Sequence, residues 1–445
     1  MKVDEHVPVP RILLYSSPVF GVFVPNVLIS FYLLKFSTDV LLIAPATIGF
    51  LLMVAKFWDA VTDPATGWLS DRTQTPMGRR RPWFLAASLP FGLSTVMLWS
   101  PPESLAGLSL SLWMGAAILF FYTAFTVFRV PHMALGAELS RGYHDRTRVF
   151  GITQMVEQIA MFGAAGALML LESSDNPRDL AKSLSLAMGV IAALLILLAA
   201  WRLEEREEFQ GRGGKKPFAA FRDVLTNPHS RLLIGVFFLE QLGFGTLVAL
   251  VPYASDYILE TPGRTAFYLF SAIASALLSI PLWIRLSLRY GKKEVWLCSL
   301  TAKILVFAAC FTLAAGDFQF MLVASVLVGF FNGCGSVIGS SLKADVVDWD
   351  EARTGERKEG AYFATWNFVQ KLAGGVSIWL IGLVLSGTGF VPNEAQGEGA
   401  RLGILVLCSI VPAAFHLVAV AMLTRFSLDQ EEHRKVMQEA EERCS

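Results

Sequence analysis

The chain has 445 residues, of which 54% are hydrophobic and only 17% charged, a balance too apolar for a soluble protein of this length. Its 37 basic and 37 acidic residues cancel, so no global positive charge indicates a nucleic-acid partner. The five cysteines contain no CxxC pair, which argues against a disulfide framework and a cysteine metal site. Because the sequence has no HExxH, GxSxG or Walker motif, we expect neither an enzyme nor a bound cofactor.

Long apolar runs predict twelve membrane-spanning helices. The fold class expected from them is an all-α integral membrane protein. The predicted spans are 12–35, 44–70, 83–101, 108–135, 148–172, 182–201, 232–259, 265–288, 294–315, 319–342, 360–387 and 402–425.

The second predicted span contains two aspartates, Asp59 and Asp63. A carboxylate at membrane depth costs about 3 kcal/mol on insertion scales, so it usually lines a polar pathway. The spacing of four residues places both acids on one helical face, where they can hold a small cation or share a proton. This pattern indicates a cation-coupled transporter. An internal salt bridge to Lys56, Arg129 or Lys371 is the structural alternative.

Arg129 lies in the middle of the fourth predicted span, where a guanidinium must be paired or solvated. One interpretation is that it binds an anionic solute through a bidentate fork. The other is that it neutralises Asp59 or Asp63. Glu157, in the fifth span, is expected to line the same cavity or to contribute to helix packing. Lys35 and Lys303 are expected near helix ends, with their charges extended towards the membrane surface.

A polar stretch at 203–230 separates six spans from the next six. We therefore predict an N-terminal bundle over 1–202, a central cytoplasmic loop over 203–230, a C-terminal bundle over 231–426 and a cytoplasmic tail over 427–445. Four basic residues fall in the connections on one side: Arg178, Lys182, Arg264 and Arg401. Most others fall on the opposite side, which by the positive-inside rule places both termini in the cytoplasm.

The two halves resemble each other in sequence pattern. The second span of each half contains a proline, Pro64 or Pro281, and is followed by a basic connection. Two six-helix pseudo-repeats of this kind are typical of the major facilitator fold.

Several motifs resemble the glycoside–pentoside–hexuronide cation symporters, a family within the major facilitator superfamily. The resemblance rests on segments in both halves of the chain. They are 54–64 (VAKFWDAVTDP), 67–73 with 78–83 (GRRRPW), 130–140, 145–147, and the residues Asp345, Asp348, Glu351, Arg357, Glu359, Gly360 and Lys371.

The resemblance implies a cation site formed by Asp59, Thr62, Asp63 and Thr126, with Na⁺ or H⁺ as the coupling ion. Carboxylate and hydroxyl oxygens are hard ligands suited to Na⁺ at Asp59 and Asp63, and the acids can also carry H⁺.

The resemblance transfers less directly to the solute site. Where galactoside-transporting members have acidic, aromatic and basic side chains, this chain has Arg129, Met133 and Gln154. A galactoside is therefore not the expected solute. The residues expected to contact solute are Arg129, Met133, Gln154, Glu157, Trp366, Asn367 and Lys371, and in the family this lysine approaches the acids of the second helix.

Charged residues at the predicted cytoplasmic ends of helices are expected to form salt bridges that break during transport. The set expected to act in gating is Asp71, Arg72, Arg79, Glu138, Asp145, Arg146, Asp348 and Arg357.

Two functions remain open from the sequence. The first is a cation-coupled symporter of a glycoside, uronide or related organic solute, and the second is a transporter of lysophospholipids or other amphipathic lipids with the same fold. For either function we expect a monomer in the plasma (inner) membrane, in contact with lipid and a small-molecule substrate. A channel or membrane enzyme is disfavoured.

Overall fold

A computed structural model describes residues 7–139, 143–205, 224–354 and 359–428. Over these ranges the chain is helical and contains no strand. Twelve helices are long and apolar enough to span a membrane, which confirms the predicted fold class and number of spans. The helices of the first half are α1 Val9–Leu28, α2 Pro45–Arg72, α3 Arg81–Trp99, α4 Gly107–Glu138, α5 Tyr143–Glu172 and α6 Pro177–Arg202. Those of the second half are α7 Pro228–Tyr257, α8 Thr265–Tyr290, α9 Lys292–Ala309, α10 Phe318–Thr354, α11 Glu359–Gly387, α12 Glu398–Cys408 and α13 Ile410–Leu423.

The chain divides into two compact units, Met1–Lys216 and Pro217–Ser445. The division falls within the polar stretch at 203–230. Each unit contains six spans, the last of which in the second unit is formed by α12 and α13 together.

In the first unit, α3 packs on both α4 and α6, α1 packs on α5, and α2 packs on α4. Glycines allow the closest approach between α3 and α6. A Cβ atom added to Gly92 would lie 2.8 Å from the carbonyl oxygen of Gly189, and one added to Gly189 would lie 2.6 Å from that of Gly92. Such backbone contact is typical of membrane helices, which gain stability from van der Waals packing rather than from the exclusion of water.

In the second unit, α7 packs on α11, α12 and α13, while α8 packs on α10. Small residues again bring backbones together, because a Cβ atom at Gly333 would lie 2.5 Å from the carbonyl oxygen of Ala276. The apolar core of this unit includes Trp283, Trp296 and Trp366.

The structure corrects several expectations about helix ends. The first span continues past α1 through two π-helical turns, Ile29–Leu33 and Phe36–Val40, so Lys35 is not at a helix end. Its side chain is buried, with Nζ 3.9 Å from Asp39 Oδ2. Lys303 also lies inside a helix and is fully buried. The expectation that the charge extends towards the membrane surface was therefore wrong for Lys303, whose ammonium group is enclosed within the second unit.

The tenth span is longer than predicted. It was expected to end at residue 342, but α10 continues to Thr354. Asp345 and Asp348 consequently lie on this helical extension rather than in a loop. Hydropathy alone placed the end too early because the charged residues stop the apolar run but not the helix.

Candidate functional site

The two aspartates predicted to bind a cation lie on α2, and both face Thr126 of α4. Thr126 Oγ1 lies 2.7 Å from Asp59 Oδ1 and 2.9 Å from Asp63 Oδ1. Asp59 and Thr126 are buried, with 2% and 0% of their surface exposed, and Asp63 is half-buried. The structure therefore assembles three of the four predicted cation ligands across two helices.

The geometry brings two acidic groups to one hydroxyl. A hydroxyl has a single proton, so it can fully satisfy only one of the two carboxylate oxygens at a time. Two carboxylates that share a donor in a buried site repel each other, and either a cation or a bound proton relieves that repulsion. Among the described residues no group of three or more His, Cys, Asp or Glu side chains is arranged to hold a metal. The hard oxygen ligands present suit Na⁺ or H⁺.

Thr62, the fourth predicted ligand, is placed differently. Its hydroxyl donates to the carbonyl oxygen of Asp59, 3.3 Å away in the same helix. Lys56, one of the possible salt-bridge partners of the aspartates, has its Nζ 4.6 Å from the centre of the Tyr122 ring.

Arg129 forms its ion pair with Glu157 of α5. Arg129 Nη2 lies 2.6 Å from Glu157 Oε1, and the two side chains are 20% and 13% exposed. The sequence left open that Arg129 pairs directly with Asp59 or Asp63. Among the described residues, its ion pair is with Glu157 instead. The pair instead joins α4 to α5.

The other predicted solute contacts are distributed over both units. In the first unit, Met133 lies one turn after Arg129, Gln154 lies one turn before Glu157, and both side chains are exposed. In the second unit, Asn367 is exposed, Lys371 is half-buried and Trp366 is 1% exposed in the apolar core. A solute cannot reach Trp366 in this conformation.

The basic residues at the start of α3 form a charge network with α2 and α4. Arg79 Nη2 lies 2.7 Å from Glu138 Oε1, and both residues belong to the set predicted to act in gating. Arg80 connects all three helices, because its Nη2 contacts both Asp71 Oδ1 (2.5 Å) and Glu138 Oε1 (3.0 Å). Arg72 instead stacks on Trp68, 3.9 Å from the ring centre.

Glu205, just after α6, was missed by the sequence analysis. Its carboxylate accepts hydrogen bonds from the backbone N–H groups of Arg79, Arg80 and Arg81 at 2.6–2.9 Å. A carboxylate at a helix N-terminus satisfies unpaired N–H groups and opposes the positive end of the helix dipole. Gly78 makes room for it, with φ at +106° and no Cβ to strike the Glu205 carboxylate.

The remaining gating residues are only partly described. Asp348 lies on α10, whereas Arg357 and the side chains of Asp145 and Arg146 lie outside the described residues. On the same extension of α10, Asp345 Oδ2 lies 2.6 Å from Lys292 Nζ at the start of α9.

A second intramembrane ion pair joins α7 to α9. Glu240 Oε1 lies 2.5 Å from Lys303 Nζ, with side chains 2% and 1% exposed. Gly335 of α10 makes room for it, since a Cβ atom there would overlap the Glu240 carboxylate. Opposite charges in two apolar spans are a sequence signal for such a pair, but the sequence does not show which residues meet.

Comparison with known structures supports the fold. The chain superimposes on the crystal structure of the nucleoside transporter NupG with a TM-score of 0.67 and 17% identity, over 94% of this chain and 98% of that one. The two-unit, twelve-span chain therefore has the major facilitator fold.

Sequence comparison identifies the family. The family model for MFS/sugar transport proteins matches residues 14–430, so the chain belongs to that family, whose members include the glycoside–pentoside–hexuronide type of symporter.

Three relatives resemble this chain over most of its length, and the names of two of them specify a solute. The symporter YjmB of Bacillus subtilis strain 168 is 26% identical, over 92% of this chain and 90% of its own length. A candidate sulfoquinovose importer of Escherichia coli K12 is 23% identical, over 93% and 89%. The sodium-dependent lysophosphatidylcholine symporter 1-B of Danio rerio is 24% identical, over 93% and 86%.

Proposed function

We propose that this chain is a symporter that binds Na⁺ or H⁺ at Asp59, Asp63 and Thr126 and moves it together with an organic solute by alternating access. The observation that carries the proposal is the single Thr126 hydroxyl within hydrogen-bonding distance of both carboxylates. A bound cation or proton lowers the net negative charge of this site. The loaded site therefore differs from the empty one in charge, which gives the protein a means to couple ion binding to conformation.

The proposed solute is a small polar molecule with a negatively charged group. Arg129 supports this class, because it lies within the fourth span, its side chain is partly exposed, and a guanidinium recognises oxyanions through a planar fork. The exposed amide of Gln154, one turn before Glu157, can donate to or accept from a solute hydroxyl. Sulfoquinovose, the solute named for the Escherichia coli relative, is an anionic sugar derivative and fits the same chemistry.

Transport of a lysophospholipid is the second candidate function. It is favoured by the relative from Danio rerio, and a lysophospholipid also carries a phosphate that Arg129 can bind. Both candidate solutes carry an oxyanion, so that group does not distinguish them. They differ in the rest of the solute, which is a polyol in the anionic sugar and an acyl chain in the lysophospholipid.

The test is uptake into proteoliposomes that contain the full-length chain, with and without Na⁺ and pH gradients. Sulfoquinovose, D-glucuronate and lysophosphatidylcholine are the trial solutes. We expect gradient-driven uptake of an anionic sugar by the wild type and a large loss of that uptake in Asp59→Asn and Asp63→Asn. Accumulation by either variant equal to that of the wild type would refute the proposed ion site, whereas uptake of the lysolipid alone would establish the second function.

A further inference from the structure

The contact between Arg129 and Glu157 engages only part of the hydrogen-bonding capacity of the guanidinium. A guanidinium has five N–H groups in a planar fork, and an oxyanion with two free oxygens engages two of them at once. In the described part of the chain, Arg129 instead gives Glu157 one hydrogen bond, from Nη2 to Oε1 at 2.6 Å. Glu157 thus occupies one edge of the group that would otherwise bind an external oxyanion.

The helices behind this pair are held together by other contacts. Tyr15 of α1 stacks on His132 of α4 with ring centres 4.1 Å apart. The Tyr15 hydroxyl donates to the His132 carbonyl oxygen at 3.0 Å, and His132 Nε2 donates to the Tyr15 carbonyl oxygen at 2.7 Å. Ser16 and Thr153 share a hydrogen bond of 2.8 Å that ties α1 to α5. These contacts tie α4 and α5 to α1 independently of the ion pair between Arg129 and Glu157.

We propose that the Glu157 carboxylate occupies the place on Arg129 that the anionic group of the solute takes, and that the displaced Glu157 binds a proton that travels with the solute. This inference rests on the proposed function, since it requires an anionic solute. It assigns to Glu157 a proton site separate from the one at Asp59, Asp63 and Thr126.

The proton follows from the charge balance of the site. When the solute binds Arg129, Glu157 loses its cationic partner while it remains mostly buried, and an unpaired carboxylate in such surroundings favours its neutral, protonated form. In the described part of the chain, Glu157 interacts with Arg129 of α4 and with Tyr15 of α1, and Tyr15 in turn stacks on His132 of α4. Arg129 stays paired throughout, first with Glu157 and then with the solute.

The exchange of Glu157 for the solute anion on Arg129 also predicts that the site prefers anionic solutes to neutral ones. A neutral sugar offers no oxyanion to Arg129, so it cannot compensate for the broken pair, and removing one partner of a buried pair is costly. A solute anion and one proton enter together without net charge. When the solute leaves, Glu157 releases its proton and pairs with Arg129 again.

The test measures binding and proton uptake by the purified full-length chain at saturating Na⁺. Sulfoquinovose and D-glucuronate are the anionic probes, and D-glucose is the neutral one. For the wild type we expect the affinity for an anionic probe to fall about tenfold per pH unit above neutrality, with one proton taken up per probe bound. For Glu157→Gln, which mimics the protonated acid, we expect pH-independent affinity, no proton uptake and at least tenfold tighter binding at pH 8.5.

Matched variants assign the proton to Glu157. Glu103→Gln removes an exposed acid from the same unit and should behave as the wild type does. Asp59→Asn should lose its Na⁺-induced thermal shift yet keep proton uptake with the probe. Conversely, a normal Na⁺ response with pH-independent anion binding by the wild type would overturn the role of Glu157 and leave the cation site standing.

Two further outcomes also test the proposed proton site at Glu157. If neither the wild type nor Glu157→Gln binds an anionic probe at any pH, the inference is wrong. If Glu157→Gln does not fold, proton uptake by the wild type and by Asp59→Asn still gives the answer, because absence of uptake in both contradicts the proposal.

Discussion

Thr126 illustrates how one hydroxyl can determine the properties of a charged site. It bridges Asp59 and Asp63, which lie on another helix, through a single oxygen atom. Its proton offsets part of the repulsion between the acids, and its lone pairs remain available to a cation. Thr62, although adjacent in sequence to Asp63, directs its hydroxyl to its own helix. The difference arises because Thr126 approaches the acids from a neighbouring helix.

Substitution of Thr126 tests this role at the residue scale. A hydrogen bond to a charged group contributes about 1.5–3 kcal/mol, and about 1.4 kcal/mol corresponds to a tenfold change in affinity. We therefore expect Thr126→Ala to weaken cation binding by about tenfold or more, measured as the Na⁺ or H⁺ concentration that half-saturates uptake. Thr126→Ser retains the hydroxyl and should remain close to the wild type. Equal losses in both variants would indicate a packing defect instead.

At the scale of helices, glycine contacts determine how closely neighbouring elements approach. Gly92 and Gly189 place the backbones of α3 and α6 in direct contact, and an added Cβ at either position meets a carbonyl oxygen that cannot rotate away. Overpacking of this kind costs about 1–3 kcal/mol. Gly166 on α5 faces open space, and there alanine is about 1 kcal/mol more favourable in a helix than glycine.

We predict opposite effects of alanine at these positions. Gly92→Ala and Gly189→Ala should lower the thermal unfolding temperature of the detergent-solubilised protein. Gly166→Ala should leave it unchanged or raise it. If all three variants unfold at the same temperature, close contact between α3 and α6 is not important for stability.

The buried pair of Glu240 and Lys303 is the corresponding polar contact between α7 and α9. Removal of one partner from a buried pair costs about 3–5 kcal/mol because the other charge is left uncompensated. Lys303→Met should therefore strongly destabilise the second unit. The double variant Glu240→Gln with Lys303→Met should recover much of the loss, as judged by thermal unfolding in a double-mutant cycle. Additive losses would show that the two charges do not compensate each other.

At the scale of the whole molecule, the two units use intramembrane charge differently. The first unit contains Asp59, Asp63 and the partly exposed pair of Arg129 and Glu157. The second contains a pair that is almost completely buried. The partly exposed side chains of Asp63, Arg129 and Glu157 can exchange partners with ions or solutes, whereas a pair with both members buried is held by the packing around it. We therefore expect the residues that set ion coupling to concentrate in the first unit.

The orientation of the chain is a prediction for the whole molecule. Twelve spans place both ends on one side, and the basic residues place that side in the cytoplasm. A fluorescent-protein fusion after Ser445 should be fluorescent, and alkaline phosphatase inserted within 391–397 should be active. Phosphatase activity from a fusion after Ser445 would contradict the orientation.

The sequence by itself determined the class of fold, the number of spans and the residues that can carry charge in the membrane. It did so because hydropathy and the cost of a buried charge are properties of each segment, independent of its neighbours. Asp59, Asp63 and Arg129 were recognised for this reason, and family resemblance added Thr126.

Only the tertiary structure decided which charges meet. Arg129 pairs with Glu157, Lys303 pairs with Glu240, and Glu205 binds the start of α3, although the paired residues are far apart in the sequence. Helix packing brings these groups together, and packing depends on small residues such as Gly92, Gly189 and Gly335 that let backbones and side chains approach. A mid-span charge therefore shows that a partner is needed, but the choice of partner depends on the fold.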